Sequence, residues 1–248
     1  MSIEKVSFSS VWKTYEKELG QVSVPALKGV SFSVGERETV GLIGANGAGK
    51  STCIRLLMDF IRPDQGSIEI GGKDVRDNQL RHDIGYLPEI ASFPPNLTIL
   101  DLILFVGRTH GLAKRLVKER SEYLLQLIGL WEARKKPVRS YSKGMQQRAG
   151  FVLALLHDPS FLILDEPMSG LDPIGRAQIA DLVAGLKNQG KTILFCSHIL
   201  EDVDRLADRL LILHKGEKRF EGTATELSQA CGTSSIVDSF LKTIGMDA

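Results

Sequence analysis

Residues 39–58 read TVGLIGANGAGKSTCIRLLM, in which a short apolar run, a glycine-rich loop and a periodic apolar segment follow one another directly. The run from Thr39 to Ile43 predicts a short strand buried on both faces. Apolar residues then recur at the spacing of one helix face, at Ile54, Leu57, Met58 and Ile61. Pro63 is expected to end this helix, because proline cannot continue it. This order of strand, loop and helix predicts an α/β fold.

The loop from Gly44 to Thr52 contains the complete phosphate-binding pattern G-x-x-x-x-G-K-S/T. Glycines tolerate positive φ and leave room beside the backbone, so that successive N–H groups can point toward phosphate oxygens. The helix beginning near Lys50 adds the partial positive charge of its N-terminus. We expect Lys50 to reach the β- and γ-phosphates and Ser51 to ligate Mg²⁺. The predicted nucleotide-binding residues here are Gly44, Asn46, Gly47, Ala48, Gly49, Lys50, Ser51 and Thr52.

The bulk composition excludes several classes of protein. A chain of 248 residues can bury one large core, or one core with an inserted subdomain. Its net charge of +1 gives no electrostatic case for nucleic acid as a partner. The three cysteines are too scattered for a disulfide framework or a zinc site, and Cys53 and Cys196 are expected to be buried thiols. No signal peptide and no apolar run of roughly 18–20 residues is visible, so we expect any membrane part to be another chain.

Periodicity divides the chain into a mixed core and a helical middle. Strands are predicted over 3–12 and 26–34, with a hairpin loop over 16–25 between them, and over 66–72 and 83–88. The pattern is helical from about 90 to 157. Strands then alternate with helices, which favours a parallel sheet, at 161–164, 192–196 and 209–213, with helices after Pro173 and Ile199.

The segment Leu162-Ile163-Leu164-Asp165-Glu166-Pro167 places two carboxylates at the end of an apolar strand. A carboxylate at this edge of a parallel sheet can meet a metal, so Asp165 is expected to coordinate Mg²⁺ directly or through another ligand. Glu166 points to the other face of the strand end and is expected to polarise an attacking water. The alternative is a solvated acidic turn before Pro167, and the phosphate-binding loop earlier in the chain favours the functional interpretation.

Three further positions have ordinary structural interpretations. Ser142, in Tyr141-Ser142-Lys143-Gly144-Met145-Gln146-Gln147-Arg148, is a favoured helix N-cap, although Met145 cannot complete a reciprocal capping box. Asp172 is also a good cap, with Pro173 at the first helical position. His198 follows a predicted strand, where a lone histidine is usually structural.

Five motifs in this order resemble those of the ATP-binding subunit of ABC transporters. They are the loop at 44–52, the segment at 141–148, Asp165-Glu166, Ser169-Gly170-Leu171-Asp172 and Ser197-His198. The resemblance implies ATP and Mg²⁺ clamped between two copies of the chain. Ser142 and Gly144 would then contact the γ-phosphate bound by the other copy, Asp172 would lie at the dimer seam, and His198 would contact the γ-phosphate.

The fold implied is that of a P-loop NTPase (RecA-like): an α/β core with an N-terminal antiparallel β subdomain and an inserted α-helical subdomain. Residues 1–89 and 158–222 would form the core and 90–157 the helical subdomain. Residues 223–248 would be a helical tail that packs on the chain's own core or contacts a partner, and Thr223 to Glu226 has a capping-box pattern at its start.

Departures from the family pattern at three positions bear on the subfamily and the metal. Lys143 and Met145 replace the glycine and glutamine of the commonest Leu-Ser-Gly-Gly-Gln sequence, which looks like the bacterial ABC-2-type exporter branch. Glu89 stands where most relatives carry a glutamine, and a glutamate there could also ligate Mg²⁺. The stretch 90–97 either receives the coupling helix of a membrane subunit or is a packed loop.

An aromatic residue is expected to stack on the adenine. Tyr15, at the end of the first strand pattern, is the candidate, and Trp12 is the competitor. The alternative is that Tyr15 packs in the core.

The resemblance implies an ATP-hydrolysing subunit that powers a membrane exporter through ATP-driven dimer closure. Separate transmembrane permease subunits would hold it at the cytoplasmic face of the membrane. The alternative is a soluble ABC-type ATPase of an assembly machine, such as an iron–sulfur scaffold.

Overall fold

The computed structural model describes residues 4–15 and 23–245. The chain forms two compact units, one of residues 1–80 and 186–248 and the other of residues 81–185. Most of the predicted hairpin loop over 16–25 lies outside the described residues. The predicted boundaries of core, helical subdomain and tail stay a prediction.

The first unit begins with an antiparallel sheet whose strands lie in the order β2-β1-β4-β5. Its strands are β1 (Glu4–Tyr15), β2 (Val24–Gly35), β4 (Gln65–Ile70) and β5 (Lys73–Asp74). Phe8 lies opposite Phe32, and their rings stack with centroids 4.4 Å apart. This cross-strand aromatic pair fixes one face of the sheet against the interior.

The central strand of the first unit is β3 (Thr39–Ile43), which is buried over its whole length. It pairs in parallel with β8 (Thr192–Ser197) on one side and β9 (Arg209–His214) on the other. The strand β10 (Glu217–Gly222) pairs antiparallel with β9. Because β3 has a neighbour on both sides and no exposed face, its sequence is a continuous apolar run rather than an alternating one.

The helix α1 (Lys50–Leu57) follows β3, as the sequence predicts, but it ends six residues before Pro63. The predicted end near Pro63 is therefore wrong. Asp59 has φ 54°, its N–H donates to the Leu56 carbonyl, and the Phe60 N–H donates to the Arg55 carbonyl. This pair of bonds is a Schellman motif, which closes the helix without proline.

The first unit also holds three later helices, α6 (Leu200–Leu206), α7 (Ala224–Cys231) and α8 (Ile236–Thr243). Thr223 and Glu226 form the predicted capping box at the start of α7. The last helix, α8, packs against α7 and α6.

The second unit contains a parallel pair of strands, β6 (Ile84–Leu87) and β7 (Phe161–Asp165). Between them in sequence lie three α-helices, α2 (Ile99–Thr109), α3 (Lys114–Leu127) and α4 (Lys143–Leu155), and two short 3-10 helices. The helix α5 (Pro173–Asn188) follows β7. None of the helices in the described parts of the chain is both long enough and apolar enough to cross a membrane.

Candidate functional site

The phosphate-binding loop connects β3 to α1, and two of its glycines have left-handed backbone angles, with φ 78° at Gly47 and 114° at Gly49. Gly44 does not have a left-handed backbone angle. A Cβ at Gly44 would lie 2.5 Å from the carbonyl oxygen of Leu213. Gly44 is therefore required by the close approach of two backbone segments rather than by its φ.

The start of α1 is suited to an anion. Its N-cap, Gly49, offers no side chain to cap the helix, and its first turn has no acidic residue. Lys50 is only 7% exposed, and its Nζ donates to the Gly44 carbonyl oxygen at 2.7 Å. A buried ammonium group beside the N-terminus of a helix supplies two sources of positive potential at the loop.

The two aromatic candidates for adenine stacking differ in their surroundings. The Tyr15 hydroxyl lies 3.4 Å from Oγ1 of Thr52, so Tyr15 is next to the phosphate-binding loop. The Trp12 ring lies beside Gly29, where an added Cβ would be 3.2 Å from the indole nitrogen. These positions favour Tyr15 over Trp12, and its stacking role stays a prediction.

His198 is exposed and directly follows β8. The turn that presents it is closed by Ser197, whose Oγ accepts from the Ile199 N–H at 3.0 Å. The structure thus places the histidine at the carboxyl end of a parallel strand, where ligands of α/β folds bind. Its contact with phosphate stays a prediction.

In the second unit, Asp165 ends β7 and Glu166 follows it, and both side chains are buried, at 6% and 8% exposed. Glu166 has φ 48°, which the sequence does not predict. A non-glycine residue in this region costs on the order of 1–3 kcal/mol, and such residues cluster at functional sites.

Ser142 is the N-cap of α4, and its Oγ accepts from the Met145 N–H at 3.2 Å. Met145 makes no reciprocal contact, as expected. A Cβ at Gly144 would lie 3.2 Å from Leu171, and the side chain of Lys143 lies across Gly170. The start of α4 is therefore in contact with the segment that follows Glu166.

Asp172 caps α5, because its Oδ1 accepts from the Gly175 N–H at 2.7 Å. The predicted local role of Asp172 is thus confirmed, and its place at a dimer seam stays a prediction.

Glu89 is exposed just after β6, and Ile90 beside it is 71% exposed. The buried thiols of Cys53 and Cys196 are confirmed, and burial raises the pKa of Cys53 to about 12.

The predicted metal ligands suit Mg²⁺ in their chemistry. Ser51 offers a hydroxyl and Asp165 a carboxylate, which are hard oxygen ligands. In the described ranges no three His, Cys, Asp or Glu side chains form a group that could hold a metal by themselves. This is compatible with Mg²⁺, which is usually held by one or two protein ligands together with substrate phosphates.

Gln147 is a residue that the sequence gives no reason to single out. It is 4% exposed, and its Nε2 donates to the carbonyl oxygen of Pro167 at 3.3 Å. Only the tertiary contact distinguishes it from its neighbour Gln146.

Comparison with known proteins identifies the family. Residues 27–169, more than half of the chain, match the family described as ABC transporter. An uncharacterised ABC transporter ATP-binding protein of Synechocystis sp. is 44% identical over 82% of this chain and 58% of its own length. The linearmycin resistance ATP-binding protein LnrL of Bacillus subtilis is 36% identical over 85% of this chain and 68% of its own length. The daunorubicin resistance ATP-binding protein DrrA3 of Streptomyces coeruleorubidus is 39% identical over 84% of this chain and 66% of its own length. The chain thus spans only about three fifths of the Synechocystis relative.

Solved structures agree with this family. The ATP-binding subunit of an ABC transporter superposes with a TM-score of 0.86, at 29% identity, over 96% of this chain and 98% of its own. The cassette MJ0796, in a dimeric post-hydrolysis state bound to ADP and Pi, superposes with a TM-score of 0.80 at 26% identity, over 88% of this chain and 98% of its own. The resemblance stated from the motifs and the P-loop NTPase fold are confirmed. The phosphate-binding loop, the parallel strands and the matching relatives agree. The chain therefore belongs to the ABC transporter family as an ATP-binding subunit.

Proposed function

We propose that this protein hydrolyses ATP to power a membrane exporter, and that two copies close on the nucleotide in each cycle. The observation that carries the proposal is the complete phosphate-binding loop, with a buried Lys50 beside an uncapped helix N-terminus. The names of LnrL and DrrA3, which are resistance proteins, support export.

The phosphate-binding loop would hold the nucleotide through its N–H groups and Lys50. Ser51 and Asp165 would hold Mg²⁺, with Glu89 as a further candidate ligand, and Tyr15 would stack on the adenine. The metal would supply charge neutralisation at the phosphates. Lys50 is already desolvated, so an incoming phosphate replaces the Gly44 carbonyl as its partner rather than a full hydration shell.

Glu166 would act as the general base, because it directly follows a strand, is buried and is held at an unusual backbone angle. His198 would contact the γ-phosphate. Since phosphoryl transfer needs little covalent chemistry, these residues would contribute mainly by orienting water and phosphate.

The second copy would supply Ser142 and Gly144 to the γ-phosphate and Asp172 to the seam. The dimeric cassette MJ0796 with ADP and Pi supports a nucleotide held between two copies. We further propose that separate permease subunits hold the protein at the cytoplasmic face of the membrane. The transporter names of the relatives do not favour the alternative, an iron–sulfur scaffold ATPase. The absence of a nucleic-acid partner stays a prediction.

The test compares the purified wild-type protein with Lys50→Ala and Glu166→Gln in binding and hydrolysis of Mg²⁺-ATP. Lys50→Ala is expected to lose ATP affinity in a calorimetric titration. Glu166→Gln is expected to keep ATP affinity and lose about 10²–10⁴ in turnover, the usual contribution of a general base. Lys114→Ala and Glu119→Gln, which change exposed residues of α3, are matched controls and should behave as the wild type.

Unchanged ATP affinity in Lys50→Ala would show that the loop is not the nucleotide site. Hydrolysis by Glu166→Gln within about threefold of the wild-type rate, far less than a general base contributes, would remove Glu166 from the role of base.

A further inference from the structure

The left-handed backbone angle of Glu166 does not arise at the end of a helix. Asp59 and Asp158, which also have positive φ, follow the ends of α1 and α4, where such residues commonly close a helix. Glu166 instead lies between a strand and Pro167. Such a conformation persists only where the surrounding structure holds it in place.

Two backbone hydrogen bonds close the turn after Glu166. The Ser169 N–H donates to the Glu166 carbonyl at 3.0 Å, and the Leu171 N–H donates to the Met168 carbonyl at a long 3.4 Å. The Pro167 carbonyl between them accepts from Gln147 of α4. Because the Gln147 side chain is nearly inaccessible to water, loss of this bond would leave two polar groups poorly solvated.

We propose that Gln147 is a positioning residue for Glu166: its amide holds the Pro167 carbonyl and thereby keeps the Glu166 carboxylate in its catalytic orientation. This inference rests on the proposed function, in which Glu166 is the base. Gln147 touches neither substrate nor reacting atoms in this scheme, and it acts only through the backbone that follows Glu166.

The same contact connects the base to the start of α4. Gln147 lies one helical turn beyond Lys143, the first residue of α4. Lys143 crosses Gly170, so that a Cβ there would lie 2.6 Å from its Nζ, and Gly144 packs close to Leu171. The first two turns of α4 and the segment after Glu166 are thus joined at three points.

Gln147→Met tests the proposal, because methionine keeps the length and volume of the side chain and removes the donor. Gln146→Met is the matched control: Gln146 lies on the same helix and also donates to a backbone carbonyl, that of Tyr141, at 3.3 Å. Gln147→Met is expected to lower kcat about tenfold through misplacement of the base, with the Kd for ATP unchanged. Gln146→Met is expected to keep kcat within about twofold, since it leaves the Pro167 carbonyl untouched. Equal kcat values for the two variants would overturn the proposal.

A double-mutant cycle separates positioning from general destabilisation. If Gln147 acts through the Glu166 carboxylate, Gln147→Met should cause no further loss in a Glu166→Gln background. A full additional tenfold loss in that background would show that Gln147 acts by another route and would overturn the proposal.

Hydrogen exchange in the nucleotide-free protein supplies a readout that does not need turnover. The amide of Ser169 should exchange faster in Gln147→Met than in Gln146→Met, because the Ser169 N–H closes the turn that Gln147 holds. Equal exchange in the two variants would overturn the proposal. Normal hydrolysis by Glu166→Gln would instead overturn the proposed role of the base, so the two failures are distinguishable.

Discussion

Lowering the pH from 7.5 to 5 is expected to destabilise the second unit, because three of the five histidines of the chain meet there. The rings of His110 and His157 stack with centroids 3.9 Å apart and planes 15° apart, and His82 meets His110 edge-on at 5.8 Å. Nε2 of His157 lies 3.1 Å from the Ile84 carbonyl oxygen and so carries the proton. The buried Nδ1 of His157 has no hydrogen-bond partner among the described residues. A second proton on this ring would therefore enter a site that offers it no acceptor.

The sign of the effect follows from the pKa of His157. Burial, followed by the neighbouring His110, lowers this pKa from 6.5 to about 4. Arg120 acts in the same direction, whereas the Ile84 carbonyl and Asp83 oppose it. Burial and His82 also lower the pKa of His110. Because the folded state binds fewer protons than the unfolded chain, stability is complete above pH 6.5 and is lost as the pH falls toward 4.

The magnitude follows from this shift. A difference of about 2.5 pKa units corresponds to at most about 3.5 kcal/mol, at about 1.4 kcal/mol per unit. The ring is only partly buried, so screening by solvent reduces this to about 1.5 kcal/mol. Most of that loss is expected by pH 5, where an unfolded histidine is almost fully protonated.

The assay is urea unfolding at pH 7.5 and pH 5 at constant ionic strength, on the wild type and His157→Gln. Glutamine keeps an N–H donor for the Ile84 carbonyl and does not titrate. The wild type should lose about 1–1.5 kcal/mol more than His157→Gln between the two pH values. His82→Gln, which changes an exposed ring at the edge of the cluster, should alter the loss by less than about 0.5 kcal/mol. Equal pH-dependent losses in the wild type and His157→Gln would refute the reasoning.

Three substitutions elsewhere test the packing of the first unit. Gly49→Ala should lower the free energy of unfolding by about 1–3 kcal/mol and weaken ATP binding, because a Cβ there would lie 2.8 Å from the Ala26 carbonyl oxygen; wild-type ATP affinity in a titration would contradict this. Thr223→Ala should cost about 1 kcal/mol in urea unfolding through loss of the α7 cap, and an unchanged midpoint would argue against a stabilising cap. Arg209→Met should lower the free energy of unfolding by about 2–3 kcal/mol. Oε1 of Glu38 lies 2.7 Å from the arginine Nε, and without this partner Glu38 would keep a partly buried charge. A thermal midpoint equal to that of the wild type would refute this prediction.

The sequence predicts elements whose determinants are local. The strand, loop and helix from Thr39 to Leu57 are confirmed because the apolar run, the glycines and the helical spacing are all contained in one short stretch. The capping box at Thr223 is confirmed for the same reason, since both partners lie within one helical turn. The sequence predicts too late an end for α1, because Asp59 takes a left-handed conformation that its residue type permits but does not predict.

Features that depend on tertiary contacts have no such signal. The need for glycine at position 44 comes from the Leu213 carbonyl, which is distant in sequence. The histidines at 82, 110 and 157 come together only because three separate segments meet in the second unit. Gln146 and Gln147 are identical neighbours on one helix, and only the path of the chain near Pro167 gives the second of them a buried partner.

Two locally unfavourable features, one of the backbone and one of the charge distribution, lie in the second unit, and both bear on its function. Glu166 has a left-handed backbone that costs about 1–3 kcal/mol. Lys143 places a cation in the first turn of α4, where the helix dipole disfavours it by about 0.3–1 kcal/mol, and no acidic residue in that turn compensates it. A phosphate at this helix start would turn the second cost into a gain, because the ammonium group and the helix N-terminus both attract an anion. The departure of Lys143 from the common family sequence is thus compatible with the proposed phosphate contact, which it would strengthen.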